Sequence, residues 1–204
     1  MKKGLKLSVV AITLLMGVSP NLSADDFYDI SWDSVNNKAV YSKNGGTNQD
    51  ISGNFDKEEL TEQSNNTVNI NLGSNSFNKG IFGGGDYSTD TKVSGNTVTL
   101  NSGEVGFING GTALTGEVSD NKVIINGGTI NDIVLGGESD SGAVSGNSVT
   151  ISGGTINDSV LGGNSHYGTA SGNSVTISGG TIDEVYGGFS FDGTASGNSV
   201  TISG

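Results

Sequence analysis

From residue 64 onward, apolar residues come in pairs two positions apart, the pairs are separated by glycine doublets, and the arrangement returns every 25 or 26 residues. The first pair of each unit is Val98/Leu100, Val123/Ile125, Val149/Ile151, Val175/Ile177 and Val200/Ile202. Alternation at period two puts these side chains on one face of a strand. Their neighbours, such as Ser148 and Thr150 or Ser174 and Thr176, point the other way. A Gly-Gly corner follows at 127–128, 153–154 and 179–180, and then a second apolar pair: Ile130/Val134, Ile156/Val160 and Ile182/Val185. A further Gly-Gly corner at 136–137, 162–163 and 187–188 ends that segment. A polar stretch of variable length then leads to Val118, Val144, Ala170 or Ala195, just ahead of the next Ser-x-Asn triplet. The pattern predicts two strands per unit and no helix.

Counted from Ser-x-Asn, the units are 64–93, 94–118, 119–144, 145–170 and 171–195, with a partial one at 196–204. One unit offers about five inward apolar side chains, worth roughly 1.5–3 kcal/mol each on burial. Ordering some 25 residues costs roughly 1–2 kcal/mol apiece in backbone entropy, so a lone unit cannot fold. Stacked units join their apolar faces into one core, as repeat proteins do. The expected fold is therefore all-β: a parallel β-helix, or β-solenoid, with coils of about 25 residues. The single proline is Pro20, so nothing later interrupts a backbone ladder. Asn66, Asn96, Asn121, Asn147, Asn173 and Asn198 hold one place in every unit. In register they would lie about 4.8 Å apart and could bond as an amide ladder. The alternative is a turn residue tolerant of left-handed backbone.

Residues 1–24 read as an address. Lys2, Lys3 and Lys6 precede the apolar run from Leu7 to Val18, and Leu22-Ser23-Ala24 precedes Asp25-Asp26. That order predicts a signal peptide cleaved after Ala24. The apolar run is shorter than the roughly 20 residues a membrane span takes, and no later segment approaches that length. The expected destination is outside the cytoplasm: cell surface, outer membrane or medium. Residues 25–63 do not repeat and carry Phe27, Tyr28, Trp32, Tyr41 and Phe55, which suits a cap over the end of a solenoid core. At the other end Ser203-Gly204 falls inside a strand signature. An open ladder edge invites aggregation, so the expectation is a fragment of a longer protein.

All 21 acidic residues follow Ala24, against six lysines and no arginine, a net charge of −15 beyond the leader. A nucleic-acid binder needs a basic face, which this chain lacks. With no cysteine, a disulfide framework and a lipid-linked cysteine are both excluded. His166 is the only histidine and has no cysteine to join it, which argues against zinc. Ser139-Asp140-Ser141-Gly142 would need His166 as its base to act as a nucleophile site, and a variable loop explains it better. Asp132 and Asp158 align, with Asp183 or Glu184 continuing the column, a weak opening for calcium. No clustered acid pair of the kind glycan-cleaving enzymes use is present. The outward Ser-x-Thr columns at 148/150, 174/176 and 199/201 would suit an ice-binding face, but Lys122 and Ile124 break them. The expectation is no enzyme and no cofactor.

The motif SGNSVTISGGTI, followed by VLGG or VYGG and a loop such as NSHYGTA, resembles the Gly/Asn-rich repeats of bacterial autotransporter passengers. The resemblance covers residues 64–204, and it implies β-helical coils displayed at the cell surface, often adhesive. Such proteins end in a membrane β-barrel, and no segment here supplies its alternating strands. On this reading the chain is a surface-displayed or secreted adhesin fragment: a rigid stalk whose loops meet a host cell, matrix or another bacterium. The contact residues would be Glu138, Ser139, Asp140, Asn164, His166, Tyr167, Phe189, Phe191 and Asp192. The alternatives are a truncated, non-functional product of a longer gene, or a β-helical carbohydrate-active or ice-binding protein.

Overall fold

The computed structural model describes residues 25–56, 59–60, 63–85 and 90–203. The leader predicted at 1–24 lies outside the described residues. Among those described there is no helix, and parallel strands stack coil on coil into a β-solenoid of about five turns. Equivalent residues sit directly over one another: Val98, Val123, Val149, Val175 and Val200 form one column, and Leu100, Ile125, Ile151, Ile177 and Ile202 the next. This is the register the repeat predicted. A period-2 pattern with one buried face tolerates no slip, since a shift of one residue would turn every valine outward.

Each coil carries more strand than the two segments read from the sequence. The first ladder holds Lys122–Ile125, Ser148–Ile151, Ser174–Ile177 and Ser199–Ile202. The second holds Thr155–Leu161 and Thr181–Tyr186, and in the coil before them it is split into Thr129–Ile130 and Val134–Leu135. These two ladders form a single 15-stranded sheet, joined through the long strands Thr67–Phe77 and Thr97–Val105. The "polar stretch" is itself two more ladders. A four-stranded sheet stacks Thr112–Ala113, Glu138–Ser139, Asn164–Ser165 and Phe189–Ser190. A five-stranded sheet stacks Val93–Ser94, Val118–Ser119, Val144–Ser145, Thr169–Ser171 and Thr194–Ser196. Two-residue strands carry no legible alternation, which is why the sequence showed only a loop.

The interior is divided. One cluster of valine, isoleucine and leucine fills the space behind the 15-stranded sheet. A smaller one, Val93, Ala113, Val118 and Val144, lies behind the two short sheets. At the N-terminal end, Phe27–Asp33 pairs in parallel with Thr67–Asn71 and antiparallel with Lys38–Lys43. This hairpin ends the parallel ladder, and Tyr28, Tyr41 and Phe55 pack behind it with ring centroids 5.3–6.2 Å apart. Phe27 stays exposed and Trp32 is only partly buried. At the other end Val200 and Ile202 remain 40% and 70% exposed.

Val149 and Ile151 each touch copies above and below, so truncation leaves a cavity that neighbouring coils cannot fill. Ile151→Ala is expected to destabilise by about 2–5 kcal/mol, read as a lowered urea midpoint. Ile202→Ala, on the exposed last strand, is expected to cost well under half of that, and equal costs would contradict the stacked core.

Candidate contact face and the polar columns behind it

The six asparagines form one continuous ladder, fully buried from Asn66 to Asn173 and half-buried at Asn198. Asn147 Nδ2 donates to Asn173 Oδ1 at 3.0 Å and to Val118 O at 3.1 Å. Its own Oδ1 accepts from the backbone N–H of Asn121 at 3.0 Å and from Asn121 Nδ2 at 2.9 Å. The same bonds run from Asn66 through Asn96 and onward to Asn198. The carbonyls taken, those of Val93, Val118 and Val144, belong to the smaller apolar cluster, so the amides form a hydrogen-bonded partition between the two cores. The left-handed residue is not the asparagine. It is the one before it: Asn65, Gly95, Asp120, Gly146, Gly172 and Gly197, at φ between 57° and 73°. That corrects the turn-residue alternative, because the asparagine is needed for its amide and its predecessor for the turn.

The second Gly-Gly corner exists to admit this ladder. A Cβ on Gly137 would lie 2.8 Å from Asn147 Oδ1, and those on Gly163 and Gly188 would strike Asn173 and Asn198.

A second polar column went unread. Ser165 is fully buried; its hydroxyl donates to Gly142 O of the preceding coil at 2.9 Å and accepts from Gly168 N–H at 2.9 Å. Likewise Ser139 and Ser190 donate to Gly116 O and Gly168 O of the preceding coil and accept from the N–H groups of Gly142 and Gly193. The signal was present as Ser-x-x-Gly at 139–142, 165–168 and 190–193. It was masked by the variable residues between. Ser139, expected on the contact surface, is therefore a structural residue with no access to a partner. Ser165→Ala takes a partner from the buried carbonyl of Gly142 and from the half-buried N–H of Gly168, and is expected to cost about 1–3 kcal/mol. Ala113 already occupies this column in the coil 94–118, so folding should survive and only the thermal midpoint fall.

The residues flanking this column differ from coil to coil and reach the surface, except Thr112, which is buried. One column runs Thr112, Glu138, Asn164, Phe189. The other, two residues on, runs Leu114, Asp140, His166, Phe191. Leu114, Glu138, Asp140, Asn164 and His166 line a shallow cleft of about 330 Å³. His166 stacks on Phe191 (centroids 5.1 Å apart, planes 19°) and meets Tyr167 edge-on at 4.3 Å. Its Nδ1 lies 3.6 Å from Asp140 Oδ1. Ser141 Oγ also turns to Asp140, at 3.2 Å, so the carboxylate engages both and the serine is not joined to the imidazole. Asn164 Nδ2 donates to Glu138 Oε1 at 3.1 Å, and Tyr186 OH to Glu184 at 2.8 Å. That hydrogen bond to a carboxylate holds the Tyr186 phenol above its ordinary value. Thus Glu138, Asp140, Asn164, His166, Tyr167, Phe189, Phe191 and Asp192 do gather on or beside one face, and Ser139 alone lies beneath it.

The acidic column expected for calcium is interrupted. The last full unit is one residue shorter, and the register shifts so that Glu184 stands over Ser159 and not Asp158. Among the described residues no three His, Cys, Asp or Glu side chains converge. No described helix is long and apolar enough to cross a membrane.

Fold and face together define a β-solenoid with a uniform scaffold and one variegated outer surface. No known family model, curated protein or solved structure matches the chain.

Proposed function

We propose that this chain is a structural and adhesive passenger segment of an autotransporter-like protein, exported to the cell surface or the medium. The stalk supplies length and stiffness, and the outer face of the four-stranded sheet supplies contact with a host cell, matrix or another bacterium. Export rests on the leader pattern around Lys2, Lys3 and Leu7–Val18.

One observation carries the reading of the contact face. Along the first ladder the outward pairs are Thr97/Thr99, Lys122/Ile124, Ser148/Thr150, Ser174/Thr176 and Ser199/Thr201, small hydroxyl residues in every one of these coils but one. On the four-stranded sheet successive coils present Leu114, then Glu138/Asp140, Asn164/His166 and Phe189/Phe191, around an inward column of Ala113, Ser139, Ser165 and Ser190. Packing and β-propensity ask for nothing so varied on a solvated face, whereas recognition sites are commonly varied side chains on a rigid scaffold.

The test is adhesion. Beads coated with the chain are expected to bind epithelial cells or extracellular matrix. The variant with His166, Tyr167, Phe189 and Phe191 changed to serine should bind at least tenfold fewer beads, with its β-type circular dichroism unchanged. Equal binding by the variant would remove this face from the function.

A further inference from the structure

The second ladder is interrupted at one corner, and there successive coils differ in length. Residues 78–80 join Phe77 to Ile81, and residues 131–133 join Ile130 to Val134, three in each case. Between them, in register with both, Gly106 and Phe107 alone join Val105 to Ile108. The shorter coil is recessed between longer neighbours, and Asn131 Nδ2 reaches across it to Asn78 Oδ1 at 3.2 Å. The result is a cleft of about 410 Å³ lined by Asn54, Asn78, Lys79, Phe107, Asn131 and Asp132. The cap pairs below these coils and the coil of Thr155–Leu161 above them, so no free end of the stack shapes the cleft.

Phe107 forms the floor. Its ring lies over Gly80, where a Cβ would fall 2.1 Å from Cζ, and edge-on to Phe82 with centroids 5.3 Å apart. Phe107 is half-buried, with part of the ring in the cleft. The walls are polar, and several of their ends are open. Asn54 Oδ1 accepts from Gly80 N–H at 2.8 Å and Asn78 Oδ1 from Asn131, but the Nδ2 groups of Asn54 and Asn78 have no partner among the described residues. Lys79 Nζ and the Asp132 carboxylate have none there either. The backbone, by contrast, is taken: Lys79 bonds Phe77 and Gly106, Gly80 bonds Asn54 and Phe55, and Gly106 bonds Lys79 and Asp132. At those residues no strand edge is open for a peptide to extend.

We infer that this cleft binds a neutral oligosaccharide, one sugar ring resting its C–H face on Phe107 while hydroxyls bond the open ends of Asn54, Asn78, Lys79 and Asp132. The negative face of an aromatic ring attracts the slightly positive C–H groups of a sugar. A hydroxyl both donates and accepts, so one kind of group answers amide donors, an ammonium and a carboxylate alike. An aromatic floor with a few convergent polar groups is the usual make-up of a small-molecule site. The cleft holds one cation and one carboxylate, and the net charge of −15 beyond the leader repels anionic glycans. With Asp132 as the one carboxylate in its lining, it is a site for binding and not for glycan cleavage, which takes a pair. Asn78 and Lys79 also border an adjoining hollow of about 260 Å³ with Trp32 and Phe77 in its wall. Two aromatic hollows with a common wall fit consecutive sugars of a chain. The site belongs to the 15-stranded sheet and does not rest on the contact-face reading above.

The experiment is saturation-transfer NMR of the full chain with maltose, lactose, cellobiose and diacetylchitobiose, and with sialyllactose as the anionic comparison. At least one neutral sugar should bind with a Kd of about 1–10 mM, the range of a shallow site and a small ligand. Lys79→Ala with Asp132→Ala alters exposed side chains only and should weaken that binding about fivefold or more, with an unchanged thermal midpoint. Phe107→Ala should abolish it. His166→Ser with Phe191→Ser, on the four-stranded sheet, should leave it within about twofold. Absence of binding by every neutral sugar at about 20 mM overturns the proposal. So does binding that survives both cleft variants, or that disappears with His166 and Phe191. Tighter binding of sialyllactose than of lactose would overturn the neutral class of ligand.

Discussion

Asn147→Ala is expected to lower the unfolding free energy by about 3–5 kcal/mol, although the substitution removes no apolar surface. Four hydrogen bonds end on this fully buried side chain. Without it the backbone N–H and Nδ2 of Asn121, the carbonyl of Val118 and Oδ1 of Asn173 all lose a partner, two of them donors and two acceptors. A buried polar group left unmade costs roughly 1–3 kcal/mol, and water reaches this partition poorly because an apolar cluster lies on each side of it. Asn198→Ala, at the end of the column, breaks bonds to one neighbouring coil alone and should cost about half as much. Urea titrations followed by circular dichroism would give both numbers. A loss below about 1 kcal/mol at Asn147 would mean that the ladder is incidental to stability.

Gly136→Ala should be comparably severe for a different reason. An added Cβ falls on the carbonyl oxygen of Gly162 in the next coil and comes within 3.3 Å of Asn147 Cβ. Neither can retreat: Gly162 N–H is bonded to Tyr186 O, and Gly136 N–H to Leu161 O, both at 2.9 Å. The methyl can be accommodated only by spreading two coils, at a cost of about 3 kcal/mol or more. Gly172 is the contrast. It has φ of +63° and nothing within 4 Å of an added Cβ, so Gly172→Ala carries only the left-handed strain of about 1–2 kcal/mol. Gly172→Asn should be close to neutral, because Asn65 and Asp120 already occupy that turn in other coils. Thermal midpoints of the three variants would order them. Gly136→Ala no worse than Gly172→Ala would contradict close backbone approach at the second corner.

The two corners therefore use glycine differently, and the sequence does not distinguish them. At 127–128, 153–154 and 179–180 the second glycine has φ near +90° and makes a turn. At 136–137, 162–163 and 187–188 neither glycine has a positive φ, and the pair is needed for the space that the asparagine column occupies. Doublets that look alike in the chain answer to different constraints: the first corner needs a left-handed glycine as well as close approach to the preceding coil, where a Cβ on Gly128 would lie 2.5 Å from Gly103 O, and the second needs the space alone.

What the chain alone determined is whatever recurs at a fixed interval. Repetition at 25 or 26 residues, with valine and isoleucine two apart, admits one economical solution: identical coils stacked in register share a core that none of them could build singly. The all-β class, the parallel ladders, the inward columns and the asparagine column follow from that, since each is a consequence of one unit seen many times. Tertiary structure alone decided what lies across the coil. Whether a two-residue polar segment is strand or loop depends on the copy above it, not on its own alternation. Ser139 and Ser165 turn inward while Asp140 and His166 turn out, because the strand is pleated and the hydroxyl finds a carbonyl of the preceding coil. The gathering of Leu114, Tyr167 and Phe191 with Glu138 and Asp140 on one face is likewise a product of stacking. Residues about 25 apart in sequence become neighbours about 4.8 Å apart, and only that distance makes a surface of them.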